Sequence, residues 1–540
     1  MGHQVTYMEG KIVQKHKIQK ILTLSVVAAF LGLGMYWYVA NEDFLRNQKI
    51  SYISDLYAPI LFRQVSQLNP FLAALSADLE QEEEQGAQKG GDAAAVPVLI
   101  YHGIVTRPQE GNTVLREFRE QMFTLKDAGW ETISLNDFER FFKKEIELPE
   151  KSFLLTFDDG RKDSYYPVDP ILRALDYEAV MFVITNQSLG EKGEASHFYL
   201  SQKELRRMRQ TGRWDIQSHG KFAHEFFPTG PNQEEGHFYS NVLWLEEEQR
   251  SETVTEFQER IYEDLKTSKR ELEEYLGGRI FAFAFPFGDY GQNLFVDSNF
   301  ELAKDVLLLG AKEHYSYAFY QWWEGEGFTY NYRRPGAFLI KRLEPGAVWS
   351  GRELVAALEQ GKPKSLPFQD AFSSNTGWLS TWGSYDILKE SDELVFRANQ
   401  QEAGASAILD GSGAWRDYEV SALVESPTQT GVFLWVRFQD GNNNAACNFG
   451  KDFVHVEQVL QGRHRVIQGI RDVAPIPQGE FTVQARVRGR TIQCLINNQV
   501  LVETPFLDTP LGYGGIGFKM WDEQAGRASL RIKKLEVQPL

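Results

Sequence analysis

Cysteine and histidine are scarce in this sequence of 540 residues, which has two cysteines and ten histidines. Cys447 and Cys494 both lie in the C-terminal third, and their spacing matches no metal motif. They would form a disulfide in an oxidising compartment, and two buried free thiols are the alternative. The sequence also has no basic stripe, and its formal net charge of −17 argues against a nucleic-acid partner.

Charged residues are absent from positions 21–40. As a helix this run would span about 30 Å, the thickness of the apolar core of a bilayer. Four lysines precede it between positions 11 and 20, and two acidic residues follow it at positions 42 and 43. We therefore predict a single-pass membrane anchor with residues 1–20 in the cytoplasm and the rest outside, in the periplasm or at the cell surface. A cleaved signal peptide is the alternative, but the bulky Tyr38 stands where a small residue is wanted.

Two domains are predicted beyond this anchor. Residues 41–95 have the composition of a juxtamembrane segment followed by a flexible linker. Strand-like and helix-like stretches alternate over residues 96–345, which indicates an α/β fold with a parallel sheet or barrel. Proline and glycine then mark a linker at residues 346–369, and residues 370–540 consist of short β-like runs separated by hairpin turns, which predicts a β-sandwich.

Two short motifs carry the chemistry of the first domain. Thr-Phe-Asp-Asp-Gly at positions 156–160 contains Asp158 and Asp159, and Ser-His-Gly-Lys-Phe-Ala-His at positions 218–224 contains His219 and His224. One carboxylate and two neutral imidazoles can hold a divalent metal and leave a position for water, and the other carboxylate can accept the proton of that water. Each motif alone has a plainer interpretation, because Asp-Asp-Gly is common in turns and histidine pairs are common on surfaces.

The positions of the motifs favour the functional interpretation. Both motifs, together with the Pro-Phe-Gly turn at positions 286–288, lie at or just after the ends of predicted strands. Catalytic groups of a barrel lie where its strands end and its loops begin. The sequence therefore predicts that these residues meet at one end of the barrel.

With the motifs in place, residues 96 to about 342 resemble the polysaccharide deacetylases of carbohydrate esterase family 4. Thr-Phe-Asp-Asp-Gly, the histidine pair and Phe-Pro-Phe-Gly at positions 285–288 occur in the family's order. The five-residue histidine spacing and the opening Pro-Val-Leu-Ile-Tyr-His-Gly at positions 97–103 resemble the exopolysaccharide branch, which includes poly-N-acetylglucosamine deacetylases. This resemblance implies a distorted (β/α) barrel of about seven strands.

The resemblance also implies roles for individual residues. Asp159, His219 and His224 would bind a divalent metal, with zinc the preferred ion. Asp158 would be the general base that takes a proton from water. His102, at the end of the opening strand, would be the general acid that protonates the departing amine; a hydrogen-bonded histidine at a strand end is the plainer alternative.

Substrate binding is assigned less directly. We expect substrate contacts from Phe287, Arg334 and Tyr101, and the resemblance implies that a backbone N–H near Phe287 helps to hold the oxyanion. Family members often carry an arginine, which holds the base, two residues before the proline of the third motif, whereas this chain has Ala284 there. Arg333 or Arg334 could replace it from the following strand, and the plainer alternative for either arginine is a surface ion pair.

The C-terminal domain resembles the concanavalin-like and laminin-G-like jelly rolls. The similarity lies at positions 491–499 and in Gly-Gly-Ile-Gly-Phe-Lys-Met-Trp at positions 514–521. Four tryptophans would stack on sugar rings if they were exposed: Trp378, Trp382, Trp415 and Trp521. The alternative is that they fill the sandwich core.

The predicted activity is metal-dependent N-deacetylation of an exported polysaccharide that contains N-acetylhexosamine, with release of acetate. The expected partners are this polymer, the membrane through the N-terminal helix, and the machinery that synthesises and exports exopolysaccharide. Two alternatives remain open, an O-deacetylase of an acetylated glycan and a catalytically inactive glycan-binding protein.

Overall fold

The computed structural model describes residues 93–540, apart from positions 223, 233, 293–297, 324, 335, 389–390, 400, 402, 429, 472–475 and 505–510. The chain divides into two compact units. One consists of Met1–Gln88 and Asp169–Ala174, of which only the second segment is described, and the other consists of Lys89–Val168 and Leu175–Leu540. The predicted anchor at residues 21–40 lies outside the described residues. Among the described helices, none has the length and apolar character needed to cross a membrane.

Sixteen strands are described in the N-terminal domain. They are β1 (Ala95–Val96), β2 (Val98–Tyr101), β3 (Ile104–Val105), β4 (Thr113–Val114), β5 (Glu131–Thr132), β6 (Ser152–Phe157), β7 (Ala179–Val183), β8 (Trp214–Ser218), β9 (Phe226–Pro228), β10 (Glu235–His237), β11 (Trp244–Leu245), β12 (Arg250–Ser251), β13 (Ala282–Ala284), β14 (Tyr317–Gln321), β15 (Asn331–Tyr332) and β16 (Leu339–Arg342).

The described helices are α1 (Leu115–Asp127), α2 (Leu135–Phe142), α3 (Asp169–Leu175), α4 (Thr185–Ser188), α5 (Gly190–Ala195), α6 (Gln202–Gln210), α7 (Val254–Leu276), α8 (Ala303–His314) and α9 (Gly351–Gly361). A 3₁₀ turn covers Pro286–Gly288.

Seven parallel strands form the barrel, in the order β16-β14-β13-β8-β7-β6-β2, and β5 pairs with β6 beside them. Leu343, which directly follows β16, forms a parallel bridge with Leu99 of β2 and so brings the two edges of the sheet together. The residues of β6 and β7 are buried throughout, as expected for parallel strands covered on both faces. The predicted α/β barrel is therefore confirmed.

Helix boundaries follow the capping residues of the sequence. Ser201 and Glu204 form a capping box at the start of α6. Thr253 and Glu256 form a second box at α7, which ends at Gly277 with a φ of 71°. The local sequence specifies these helix ends, because the hydrogen-bond partners of each cap lie within one turn of the helix.

The segment predicted as a linker, residues 346–369, instead contains helix α9. Ser350 caps this helix and forms a capping box with Glu353. Leu354 and Leu358 are fully buried. The prolines at positions 345, 363 and 367 lie on either side of the helix, so they mark its limits and do not indicate an extended linker.

Fifteen strands are described in the C-terminal region. They are β17 (Phe368–Asp370), β18 (Trp378–Trp382), β19 (Tyr385–Leu388), β20 (Glu393–Arg397), β21 (Gly404–Leu409), β22 (Tyr418–Glu425), β23 (Gly431–Asp440), β24 (Asn443–Phe449), β25 (Phe453–Leu460), β26 (Arg463–Arg471), β27 (Glu480–Arg488), β28 (Thr491–Ile496), β29 (Gln499–Thr504), β30 (Gly515–Trp521) and β31 (Ser529–Pro539).

These strands form two antiparallel sheets. One has the order β19-β20-β31-β22-β27-β28-β29, with β17 also paired to β31, and the other has the order β18-β21-β30-β23-β24-β25-β26. Buried and half-buried residues alternate along β22, because one face of the strand lies against the core and the other faces outward. The all-β prediction for this region is confirmed, while its assignment as a jelly roll stays a prediction.

A disulfide between Cys447 and Cys494 joins the two sheets, since the first cysteine lies in β24 and the second in β28. Of the four tryptophans considered for sugar stacking, Trp378 and Trp415 are buried. Trp382 is 38% exposed and Trp521 is 45% exposed. Core packing therefore accounts for the first two tryptophans and leaves only the second two accessible to a ligand.

Candidate active site

A cavity of about 540 Å³ opens where the barrel strands end. Its lining includes His102, Asp159, His224, His237, Phe287 and Glu344. These residues come from distant parts of the sequence, and the parallel strands bring them together because their carboxyl ends meet at one end of the barrel.

Three of the predicted residues form a cluster with the donor set of a metal site. One ligand atom each from Asp159, His219 and His224 lies within 4.8 Å of the others. The Nε2 atoms of His219 and His224 are 3.5 and 3.2 Å from Oδ1 of Asp159. The structure therefore brings together all three side chains to which the sequence assigned metal binding.

Local backbone geometry aims Asp159 at this cluster. Strand β6 ends at Phe157, and Asp159 follows with a φ of 72°, a left-handed conformation that few non-glycine residues adopt. Such a conformation costs on the order of 1–3 kcal/mol and tends to occur at functional sites. Asp158 and Asp159 thereby point to different partners although they are adjacent in sequence.

The donor set fits a divalent cation. Nδ1 of His219 lies 2.8 Å from the carbonyl oxygen of Ala284 and donates to it, so the lone pair of Nε2 faces the Asp159 carboxylate. Oδ1 of Asp159 is buried and has no hydrogen-bond partner among the described residues. Facing lone pairs of one carboxylate and two imidazoles are the ligands that zinc accepts.

The loop that carries His224 is held by helix α7. The carboxylate of Asp264 accepts hydrogen bonds from the backbone N–H groups of Lys221 and Phe222, both at 3.0 Å. The hydroxyl of Tyr239 donates a third at 2.5 Å. Burial raises the pKa of Asp264 against the lowering effect of these bonds. Asp264 thus fixes the backbone between the two histidines.

Asp158 is paired with an arginine that sequence reasoning missed. Nη1 and Nη2 of Arg342 donate to the two carboxylate oxygens of Asp158 at 2.6 and 2.7 Å. Both side chains are buried. Burial acts to raise the pKa of Asp158, but the charge of Arg342 outweighs it and holds this pKa below its ordinary value. The pair keeps Asp158 ionised.

His102 lines the same cavity and has its own carboxylate partner. Its Nδ1 is 3.2 Å from Oε1 of Glu344, and the other oxygen of Glu344 accepts from Nε2 of Gln321. Burial acts to lower the pKa of His102, whereas Glu344, Asp159 and Asp158 raise it, and the net shift is upward. His102 is therefore oriented and favoured in its protonated form.

Phe287 occupies the turn of the third motif. Its φ is 59°, and its ring centroid lies 4.5 Å from that of His224. The same ring stacks on His237 at 4.3 Å with an interplanar angle of 7°. The ring therefore contacts both a proposed metal ligand and a residue of strand β10, while the oxyanion role of its backbone N–H stays a prediction.

Three other predicted residues, Arg333, Arg334 and Tyr101, do not line the cavity. Arg333 pairs with Glu147, and its guanidinium is 4.5 Å from the ring of Phe141. The guanidinium of Arg334 lies over Tyr332 and Tyr513 and lines a different cavity, of about 300 Å³.

The expectation that Arg333 or Arg334 holds the base is therefore wrong. Both residues follow β15, which pairs with β1 outside the barrel sheet, whereas Arg342 ends barrel strand β16. Tyr101 is also not placed for substrate contact, because it is buried and its hydroxyl donates to Gln121 at 2.7 Å.

Some of the missed residues left a signal in the sequence. Asp264 interrupts the apolar stripe of α7 between Ile261 and Leu265, where a charged side chain needs a buried partner. Arg342 and Glu344 lie at and just beyond the end of strand β16, which the sequence analysis did not identify.

The N-terminal domain is similar to known proteins. Residues 145–301 match the family described as polysaccharide deacetylase. Over 184 residues the chain is 24% identical to the poly-beta-1,6-N-acetyl-D-glucosamine N-deacetylase of Escherichia coli (strain K12), covering 32% of this chain and 27% of that protein. Over 172 residues it is 25% identical to the protein of the same name from Staphylococcus aureus (strain MSSA476), covering 32% of this chain and 52% of that protein.

A solved structure of a de-N-acetylase from Aggregatibacter actinomycetemcomitans aligns with a TM-score of 0.39 and 21% identity, over 48% of this chain and 98% of that chain. The chain spans only about half, or less, of the length of the curated relatives that it matches, between 27% and 53% of each. Residues 145–301 are thus similar to the polysaccharide deacetylase family, and the family match is confined to that part of the chain.

Proposed function

We propose that this polysaccharide deacetylase domain removes N-acetyl groups from an N-acetylhexosamine polymer by metal-dependent hydrolysis. The observation that carries the proposal is the cluster of Asp159, His219 and His224 beside Asp158, which is held ionised by Arg342. A bound divalent cation, with zinc preferred, would polarise the amide carbonyl and lower the pKa of water to about 7.

Asp158 is the general base of this mechanism. Its carboxylate accepts the proton of the attacking water, and the two bonds from Arg342 keep its orientation and charge. Arg342 is a positioning residue, because it acts through Asp158 and is itself buried.

His102 is the general acid. An amine is a poor leaving group until its nitrogen is protonated, and His102 donates that proton as the C–N bond breaks. Glu344 accepts from Nδ1 of His102, which leaves Nε2 of the imidazolium to donate toward the substrate. The products are acetate and a hexosamine with a free amine.

The relatives named as poly-beta-1,6-N-acetyl-D-glucosamine N-deacetylases support an exported polymer of this kind as substrate. The charge-free run at residues 21–40 supports a membrane anchor with the barrel outside the cytoplasm, near the machinery that exports the polymer. Anchor, location and machinery are parts of the proposal that rest on the sequence.

The test is acetate release from oligomers of β-1,6-linked N-acetylglucosamine, with the new amines measured in parallel. We expect equal amounts of acetate and amine from the zinc-loaded protein, and loss of both after chelation or in Asp158→Asn. The matched control is Asp176→Asn, the same change at an exposed carboxylate, which should retain activity. Activity that survives both chelation and Asp158→Asn would overturn the mechanism, and acetate without amine from an acetylated glycan would indicate an O-deacetylase.

A further inference from the structure

The segment inserted after His224 forms part of the active-site cavity. Strands β9 and β10 make a short antiparallel hairpin in which His237 pairs directly across from Phe226. His237 lines the cavity together with His224 and Phe287. The hairpin therefore adds side chains to the site that the metal cluster and the acid–base pair do not use.

His237 is held in one orientation by a carboxylate. Its Nδ1 lies 2.6 Å from Oδ2 of Asp289, and the hydroxyl of Ser240 donates to the same oxygen at 2.5 Å. Oδ1 of Asp289 accepts from the backbone N–H of Gly291 at 2.8 Å. A carboxylate that accepts from all these groups makes Nδ1 of His237 a donor, so Nε2 of the neutral ring is an acceptor.

Aromatic rings form a row that leads from the metal cluster toward solvent. Phe287 contacts His224 and stacks on His237, and the ring of Phe226 lies 5.2 Å from His237 and 5.5 Å from Phe287. Phe226 is 53% exposed although it is apolar. Exposed aromatic rings beside a polar group match a sugar, which presents a C–H face and a rim of hydroxyl and amide donors.

We propose that Phe226 and His237 form a second sugar-binding site, which holds the hexosamine ring next to the one being deacetylated. The ring would stack on Phe226 and donate a hydroxyl or amide N–H to Nε2 of His237. This inference rests on the proposed function. The row of rings begins at His224, so the hexosamine next in the polymer reaches Phe226 only if deacetylation takes place at the His224 end.

The test measures binding separately from catalysis. In the Asp158→Asn background, which leaves the substrate intact, calorimetry gives the Kd of a pentamer of N-acetylglucosamine and of the methyl glycoside of the monomer. Phe226→Leu removes the planar ring, and His237→Phe keeps a ring against Phe287 while removing the acceptor. Each should weaken pentamer binding by about five- to tenfold, the effect of one hydrogen bond or one stacking contact, and should weaken monomer binding much less.

The control is Tyr275→Leu, a similar change at an aromatic residue that is 40% exposed at the end of α7. It should leave pentamer binding at the wild-type value. Wild-type affinity in both hairpin variants, or equal weakening of monomer and pentamer, would overturn the second sugar-binding site. A wild-type protein that binds the pentamer through Phe226 and His237 but releases no acetate from it would contradict the proposed function and leave the binding site supported.

Discussion

Two neighbouring carboxylates in this site have different surroundings. Asp159 is turned by its left-handed backbone toward two imidazoles, whereas Asp158 faces the guanidinium of Arg342. Burial acts to raise the pKa of Asp159, but the nearby imidazoles of His219 and His224 outweigh it and hold that pKa well below its ordinary value. One residue can thus serve as a metal ligand and the next as a base.

Arg342→Met tests the support of Asp158. Loss of one partner of a buried ion pair leaves the other charge unpaired and costs about 3–5 kcal/mol in the free energy of unfolding. We expect acetate release to fall by at least about 100-fold, the usual contribution of a general base, and the denaturation midpoint to fall as well.

Arg333→Met is the control, because Arg333 pairs with an exposed glutamate. This substitution should leave acetate release and the denaturation midpoint nearly unchanged. The double variant Arg342→Met/Asp158→Asn should be more stable than Arg342→Met alone, since the amide removes the unpaired charge. Equal losses in the two arginine variants would contradict the assignment of Arg342.

Glu344→Gln tests the role of His102. Glu344 raises the pKa of His102, so its removal lowers that pKa. A general acid must be protonated, and activity is lost as pH rises through its pKa. We therefore expect the alkaline limb of the kcat–pH profile to move to lower pH in Glu344→Gln, with Glu147→Gln as an exposed control. An alkaline limb that stays in place would assign that limb to a group other than His102.

At the scale of elements, the helices and strands were predictable where local signals specify them. The capping boxes of α6 and α7 and the buried run of β6 lie within a few residues of one another in sequence. Strand β16 was missed, and Arg342 with it, because its burial alternates and the barrel sheet that pairs it is built from distant strands. The proposed metal ligands could be found from two local motifs, whereas the partners of Asp158 and His102 depend on long-range pairing.

Asp264→Ala tests whether helix α7 positions a metal ligand. The change removes the acceptor for the N–H groups of Lys221 and Phe222, so the loop before His224 loses its anchor. Groups that orient metal ligands typically affect metal affinity by about 10- to 100-fold. We expect a loss of this size in a zinc competition titration with a chelating dye. Glu259→Ala, at an exposed position of the same helix, is the control, and equal affinities in the two variants would show that the loop holds its shape without Asp264.

At the scale of the whole molecule, the barrel and the C-terminal sheets share a buried polar contact. Asp410, just after β21, accepts a hydrogen bond from the hydroxyl of Thr329 at 2.5 Å. The backbone N–H of Gly413 donates to the hydroxyl of Tyr332 at 3.2 Å, and the ring of Phe328 lies 5.8 Å from that of Phe438. The sequence analysis predicted only a linker between these domains, because hydrogen bonds between residues about 80 positions apart leave no local pattern.

Asp410→Asn tests whether this contact persists in solution. Burial raises the pKa of Asp410 to about 6 against the lowering effect of Thr329 and Lys364. A carboxyl whose pKa is higher in the folded state contributes stability at low pH that is lost as pH rises through about 6. The asparagine variant lacks this titration, so its free energy of unfolding relative to wild type should rise by about 1 kcal/mol from about pH 5 to about pH 8. Asp386→Asn, at an exposed position of the same region, should show no such dependence. A pH-independent difference between Asp410→Asn and wild type would mean that Asp410 is solvated and that the two domains separate at this contact.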